Sequence, residues 1–166
     1  AVIGSDTVVA FQKDGETKPV IIGKPKDAED AVRILSMLSG KTHRVFTGVS
    51  VIADIPDESA AAQCSIRKKE EIQTECSIRE KAEIQTECSI TEVTFETLSP
   101  DEITDYVHSG DPLDKAGSYG IQGPFGMFVR EIRGNYFTVI GMPIPVLYKM
   151  LKKIGILPHG FYERIE

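Results

Sequence analysis

The chain has 166 residues, 41% hydrophobic and 27% charged, with a formal net charge of −6, which suits one ordinary folded domain with a real core. The acidic balance argues against general nucleic-acid binding, which needs a basic footprint. No run approaches the ~20 apolar residues of a membrane span, and Ala1-Val2-Ile3-Gly4 has no basic flank of the signal-peptide kind.

In chain order, Val2-Ile3 and Val8-Val9-Ala10-Phe11 read as a buried strand interrupted by the polar trio Ser5-Asp6-Thr7. Lys13-Asp14-Gly15-Glu16 reads as a turn and Pro19-Val20-Ile21-Ile22 as a short return strand. A helix follows, with Asp27 as N-cap, an apolar stripe of Ala28, Ala31, Val32, Leu35 and Leu38, and Gly40 as its left-handed stop. Arg44 to Ile52 has the β-branched content of a central strand. Ser99-Pro100-Asp101-Glu102 forms a capping box with proline at the first helical position, opening a helix that stops near Gly110. Phe125 to Arg133 and Tyr136 to Ile140 read as hairpin strands turned at Gly134-Asn135, and Pro145 to Ile154 as a closing amphipathic helix. Strands alternating with helices predict an α/β fold around a mixed central sheet flanked by helices.

The middle of the chain repeats. Cys64-Ser65-Ile66-Arg67, Cys76-Ser77-Ile78-Arg79 and Cys88-Ser89-Ile90-Thr91 recur every 12 residues, too short a period and too few copies for a solenoid. Cys, Ile and Thr fall on even positions through this stretch, which is strand periodicity, with the Arg67–Glu71 and Arg79–Glu83 charge clusters as turns. Residues 64–90 are therefore expected to form an edge hairpin or a mobile segment that contributes nothing to a ligand cleft. Three cysteines in one segment favour a reducing compartment over a disulfide framework. Spacings of 12 also lack the close pairing that zinc sites favour.

The chemistry concentrates in a few places. Asp114-Lys115-Ala116-Gly117-Ser118-Tyr119-Gly120-Ile121-Gln122-Gly123 sets a lysine, glycines and a glutamine in one turn-rich loop. Glycine lets backbone approach a ligand closely, Lys115 offers a point charge for phosphate, and Gln122 offers donor and acceptor for a base edge. Taken alone, the same residues would serve as a glycine-rich turn with a solvated lysine. Asp6 ends a strand segment, where a carboxylate could hold Mg²⁺ or take a proton from an attacking water; the plainer alternative is a turn aspartate. Lys24 precedes Pro25 at a helix start, an unfavourable place for a cation unless an anion joins it. His43 beside a strand reads as structural and is left out of the site.

Gly4-Ser5-Asp6-Thr7-Val8-Val9, Gly23-Lys24-Pro25, Ser39-Gly40-Lys41-Thr42-His43-Arg44-Val45-Phe46-Thr47-Gly48-Val49 and the Lys115–Gln122 loop, in this order, resemble the Maf family of nucleotide pyrophosphatases. The resemblance covers most of the chain outside residues 54–90. It implies one Maf-like domain over residues 1–166, of inosine triphosphatase-like architecture, with a repeat insertion at about 64–90. The Lys-Ala-Gly-x-Tyr-Gly-Ile-Gln form is similar to the branch acting on dTTP and UTP. The implied activity is Mg²⁺-dependent cleavage of a nucleoside triphosphate to the monophosphate and pyrophosphate in the cytoplasm, with a homodimer left open.

Carried onto this sequence, the resemblance makes Asp6 the catalytic proton acceptor and a metal ligand. It places Lys24 and Lys115 on the triphosphate, and Thr7 and Gln122 in substrate selection. Family members begin with a further strand, a Ser-Pro-Arg-Arg-like phosphate loop and helices, so the sequence reads as an N-terminally truncated form with an incomplete phosphate site. The competing expectation, from another class, is a catalytically inactive nucleotide-binding or interaction module.

Overall fold

In the computed structural model, which describes residues 1–13, 15, 17–55 and 81–156, five strands share one sheet. They are β1 (Val2–Phe11), β2 (Val20–Ile22), β3 (Thr42–Ile55), β4 (Lys81–Phe95) and β5 (Val129–Arg133), ordered β2-β1-β3-β4-β5. The α/β class is as expected. The expected mixed sheet is not seen, because every pairing among the described strands is antiparallel. Antiparallel neighbours need no crossover helix: none separates β1 from β2, and the helix Pro100–His108 between β4 and β5 joins two antiparallel strands.

The helices are α1 (Ala28–Leu38), α2 (Pro100–His108), α3 (Tyr136–Val139) and α4 (Ile144–Lys153). Asp27 caps α1 by accepting from the Asp30 N–H at 2.8 Å, and Gly40 ends the segment at φ +67°. The buried stripe of α1 is Ala31, Ile34, Leu35 and Leu38; Ala28 is exposed and Val32 half-buried, so the core face is rotated from the one expected. At α2 both halves of the capping box form: Ser99 N–H donates to Glu102 at 2.7 Å, and Glu102 N–H donates to Ser99 Oγ at 3.3 Å.

Odd-numbered residues of β1, β3 and β4 face the helices. Val9, Phe11, Val45, Val93 and Phe95 meet α1, α2, Tyr119 and Phe125 in the main core, while Val49 and Val51 meet Met150 of α4 in a smaller one. The opposite face leaves Val2, Val8, Ile52, Ile84 and Ile90 exposed. The expected break in β1 at Ser5-Asp6-Thr7 does not occur, because all three residues pair in register with β3. The hairpin expected at Gly134-Asn135 is also absent. Residues 124–128 form a 3₁₀ turn, β5 pairs with β4 instead, and Tyr136–Val139 is a short helix capped by the Asn135 side chain. Asparagine favours a cap as readily as a turn, and the cap won.

Two of the three repeat copies lie outside the described residues. The third, Cys88 to Thr91, lies within β4, which pairs with β3 from Thr42↔Thr94 to Ile55↔Lys81. The even-numbered Ile84, Cys88 and Ile90 of β4 face outward, and the core-facing set begins at Thr91.

Candidate active site

A cavity of about 400 Å³ opens beside the middle of β1, at Thr7. Thr7, Asp111, Lys115, Tyr119, Gly120 and Gln122 form much of its wall, and Val139, Ile140 and Gly141 close the other side. Thus Thr7 converges on one concavity with Lys115 and Gln122, which lie more than a hundred residues later in the chain. Asp6 and Lys24 are not among the lining residues. Asp6 neighbours Thr7 and turns its carboxylate onto the Thr7 backbone N–H at 2.8 Å, but as an even-numbered residue of regular β1 it belongs to the exposed sheet face, opposite the one that carries Thr7. Lys24 belongs to the loop after β2, which is tied to the glycine-rich loop by the Gly117 N–H donating to Gly23 O at 3.1 Å.

The loop from Asp111 to Gly123 is built of short 3₁₀ turns. Gly117 sits inside it at φ +77°, and a Cβ there would lie 3.0 Å from Val9 Cγ2 and 3.2 Å from the Tyr119 ring. Only glycine lets this loop lie flat on β1. Ser118 follows at φ 59°, an uncommon conformation for a side-chain-bearing residue, with its buried Oγ unpartnered among the described residues. Backbone strain of this kind gathers at binding loops.

Lys115 is held by two carboxylates. Its Nζ lies 2.7 Å from Asp114 and 3.0 Å from Asp111, and donates to Asp111 O at 2.7 Å. The hydrogen bond to Asp114 leads in raising the Lys115 pKa, so the ammonium is firmly charged. Asp114 is held low chiefly by that same bond, with Lys24 adding a little. Asp111 is held below the usual carboxylate range first by the hydroxyl of Tyr106, which donates to it, and then by Lys115. Tyr106 in turn accepts from the Gly120 N–H at 3.0 Å, so one phenol ties α2 to the loop backbone.

A row of hydroxyls joins the sheet to the far wall. Thr7, Thr47 and Ser89 lie side by side across β1, β3 and β4. Thr7 Oγ1 is 2.9 Å from Thr47 Oγ1, Thr47 donates to Thr138 O at 2.6 Å, and Ser89 Oγ is 2.7 Å from Thr138 Oγ1. Ser5 Oγ adds a bond to Gly141 O at 2.7 Å. Ser89 of the third repeat copy thus bonds Thr138, the neighbour of Val139 in the cavity wall, while no described residue of 64–90 lines the cavity itself.

Sequence reasoning missed Tyr106, Asp111, Thr47 and Thr138. The one local signal was the spacing of Tyr106 and Asp111 around the end of α2. The hydroxyl row is visible only once the strand register is known. His43, read as structural, is buried and bonds Tyr119 of the cavity wall.

As to metal, no cluster of three or more His, Cys, Asp or Glu side chains occurs among the described residues. Mg²⁺ needs fewer, since it is commonly held by one or two carboxylates with water and phosphate oxygens completing its shell. Asp6 fits that demand, having one oxygen on Thr7 N–H and no other hydrogen bond among the described residues. Asp111 and Asp114 are committed to Lys115.

Comparison with known proteins gives a consistent picture. The family model described as Maf-like protein matches residues 1–154. A dTTP/UTP pyrophosphatase of Agathobacter rectalis is 42% identical over 155 residues, 93% of this chain and 62% of that protein. Proteins of the same name from Bacillus pumilus and Clostridium beijerinckii are each 42% identical, over 95% and 92% of this chain and 66% and 65% of their own lengths. The chain thus spans just under two thirds of these relatives.

Proposed function

We propose, starting from the fact that this chain belongs to the Maf-like protein family, that it is a nucleoside triphosphate pyrophosphatase acting on dTTP and UTP in the cytoplasm. The observation that carries this reading is the convergence of Thr7, Lys115 and Gln122 on one cavity of about 400 Å³. A charged lysine together with groups able to pair with a base edge in one cavity is what a nucleotide requires. The names of the relatives support the choice of substrate.

In this reading Lys115, with Lys24 on the adjoining loop, neutralises the triphosphate. Asp114, exposed on the other side of the lysine, gives way to the incoming phosphate oxygens. Gln122 pairs with the pyrimidine edge by donating its amide N–H to a carbonyl. Asp6 takes the proton of a water as its oxygen bonds to the α-phosphorus. The bond from that phosphorus to the bridging oxygen breaks, and pyrophosphate leaves with the electron pair. Bound Mg²⁺, held by Asp6 and the phosphates, would screen the charge that collects on the leaving group.

A second reading has one observation in its favour: Asp6 is not among the cavity-lining residues. A chain that binds nucleotide without cleaving it would have this arrangement. Pyrophosphate release from dTTP and UTP with Mg²⁺ decides between them. The enzyme reading expects release that drops about 100-fold or more in Asp6→Asn while nucleotide binding persists. Binding without release by the wild type establishes the second reading, and absence of binding refutes both.

A further inference from the structure

Thr47 is fully buried, and it is not among the residues lining the cavity. Its single hydroxyl proton is nonetheless accounted for. Thr47 Oγ1 lies 2.6 Å from the carbonyl oxygen of Thr138, and a carbonyl can only accept, so Thr47 donates there. Thr47 Oγ1 also lies 2.9 Å from Thr7 Oγ1. Having spent its proton, it can only accept from Thr7. The Thr7 hydroxyl therefore points its own proton into the sheet and presents lone pairs alone to the cavity.

We propose that Thr47 is a positioning residue that fixes the hydrogen-bond polarity of Thr7, so that this part of the wall accepts from a ligand N–H and rejects a bare acceptor. An acceptor-only oxygen repels phosphate oxygens, so the phosphates lie toward Lys115 and the heterocycle toward Thr7. Among pyrimidines, the ring N–H of uracil or thymine satisfies Thr7, whereas the unprotonated ring nitrogen of cytosine sets two lone pairs against each other. The inference rests on reading the cavity as a nucleotide site. It deepens that reading by naming the source of base selection and a residue that acts without touching the ligand. Thr138 enters through its backbone carbonyl, so its side-chain identity is not part of this device.

The test compares UTP and CTP binding by calorimetry to the full chain as wild type, Thr47→Val and Thr47→Ser. The wild type should prefer UTP. Thr47→Val frees the Thr7 hydroxyl to turn and donate, and the UTP-to-CTP preference should fall roughly tenfold, the worth of one hydrogen bond. Thr47→Ser keeps the hydroxyl and should keep the preference, which a packing role for the Thr47 methyl would not predict. An unchanged preference in folded Thr47→Val overturns the inference while leaving the nucleotide site standing. Failure of the wild type to bind either nucleotide overturns the site and the inference together. Should Thr47→Val not fold, proton NMR of the wild type decides. A slowly exchanging Thr7 hydroxyl proton with a cross-peak to Thr47 supports the polarity, and one exchanging freely with water overturns it.

Discussion

The imidazole Nε2 of His43 lies 2.9 Å from the hydroxyl of Tyr119, and both side chains are nearly sealed from water. Phe95 packs edge-on against each ring, at 4.7 Å and 4.8 Å between centroids. The pair therefore pins a residue of the cavity wall to the centre of the sheet. Burial drives the His43 pKa down to about 4 and pushes that of Tyr119 up, so both are neutral where the protein works.

This makes stability sensitive to mild acid. Between the folded pKa of about 4 and the ordinary value of 6.5, the unfolded chain binds a proton at His43 that the folded chain does not. Stability is therefore complete above pH 6.5 and falls as the pH drops toward 4, by roughly 3 kcal/mol in all. The depressed carboxylates Asp30, Glu102, Asp111 and Asp114 act in a different window. Their contribution is present above their ordinary pKa values and is lost only as the pH falls through the lowered ones. Urea midpoints at pH 7 and pH 5 should thus differ in the wild type and converge in His43→Phe. An equal loss in the variant would mean that another group carries the acid sensitivity.

Gly117→Ala should be among the most damaging single-methyl changes. The left-handed backbone costs a side chain about 1–2 kcal/mol. The new Cβ would also press on Val9 and Tyr119 at 3.0 Å and 3.2 Å, and overpacking of that kind costs about 1–3 kcal/mol more. Thermal unfolding should show the loss, and nucleotide affinity should fall with it because the same loop carries Lys115. Wild-type stability in the alanine variant would mean that the loop does not lie on β1 as described.

Ser118→Gly should do the reverse. It relieves a side chain at φ 59° and removes a buried hydroxyl that is unpartnered among the described residues. Those gains outweigh the backbone entropy that glycine adds to the unfolded chain, leaving a net stabilisation of about 1 kcal/mol. A destabilised variant would show that the Ser118 hydroxyl has a partner after all, such as an ordered water.

Where each chemical group stands was legible in the sequence to different depths. Asp27, Ser99 and Glu102 announce helix starts because a cap is a contact within four residues, and the local pattern determines it. Gly117 and Lys115 announce a binding loop for the same local reason. Tyr136–Val139 misled because aromatic and β-branched residues favour strands, whereas Asn135 and the Thr91 hydroxyl that bonds it set a helical turn instead. The partners of Thr7 could not be read at all. Thr47, Ser89 and Thr138 reach it only through strand register and the packing of α3, and neither leaves a mark on the neighbouring sequence. The strand periodicity of β4 was legible, but alternation tells which residues share a face and not which face meets the helices, so its outward Ile and Cys could not be placed.

The sharpest test of the charge arrangement lies in Asp114 and Asp111, which share Lys115 but differ in what else they do. The Asp114 side chain is 79% exposed, and its contact with Lys115 is a surface ion pair. Asp114→Ala should leave stability almost unchanged. It should also tighten UTP binding up to about fivefold at low salt, since the triphosphate no longer displaces a carboxylate from the lysine. Added salt should erase most of that gain. Asp111 also accepts the hydroxyl of half-buried Tyr106, so Asp111→Ala leaves that phenol without its acceptor and should cost about 1–3 kcal/mol. Lys115→Ala should weaken UTP at least tenfold and leave both aspartates repelling the triphosphate. Calorimetric titration of the three variants, with thermal unfolding alongside, checks the whole set. Weaker binding in Asp114→Ala would show that Asp114 orients Lys115 for the phosphates, and the competition described here would have to be abandoned.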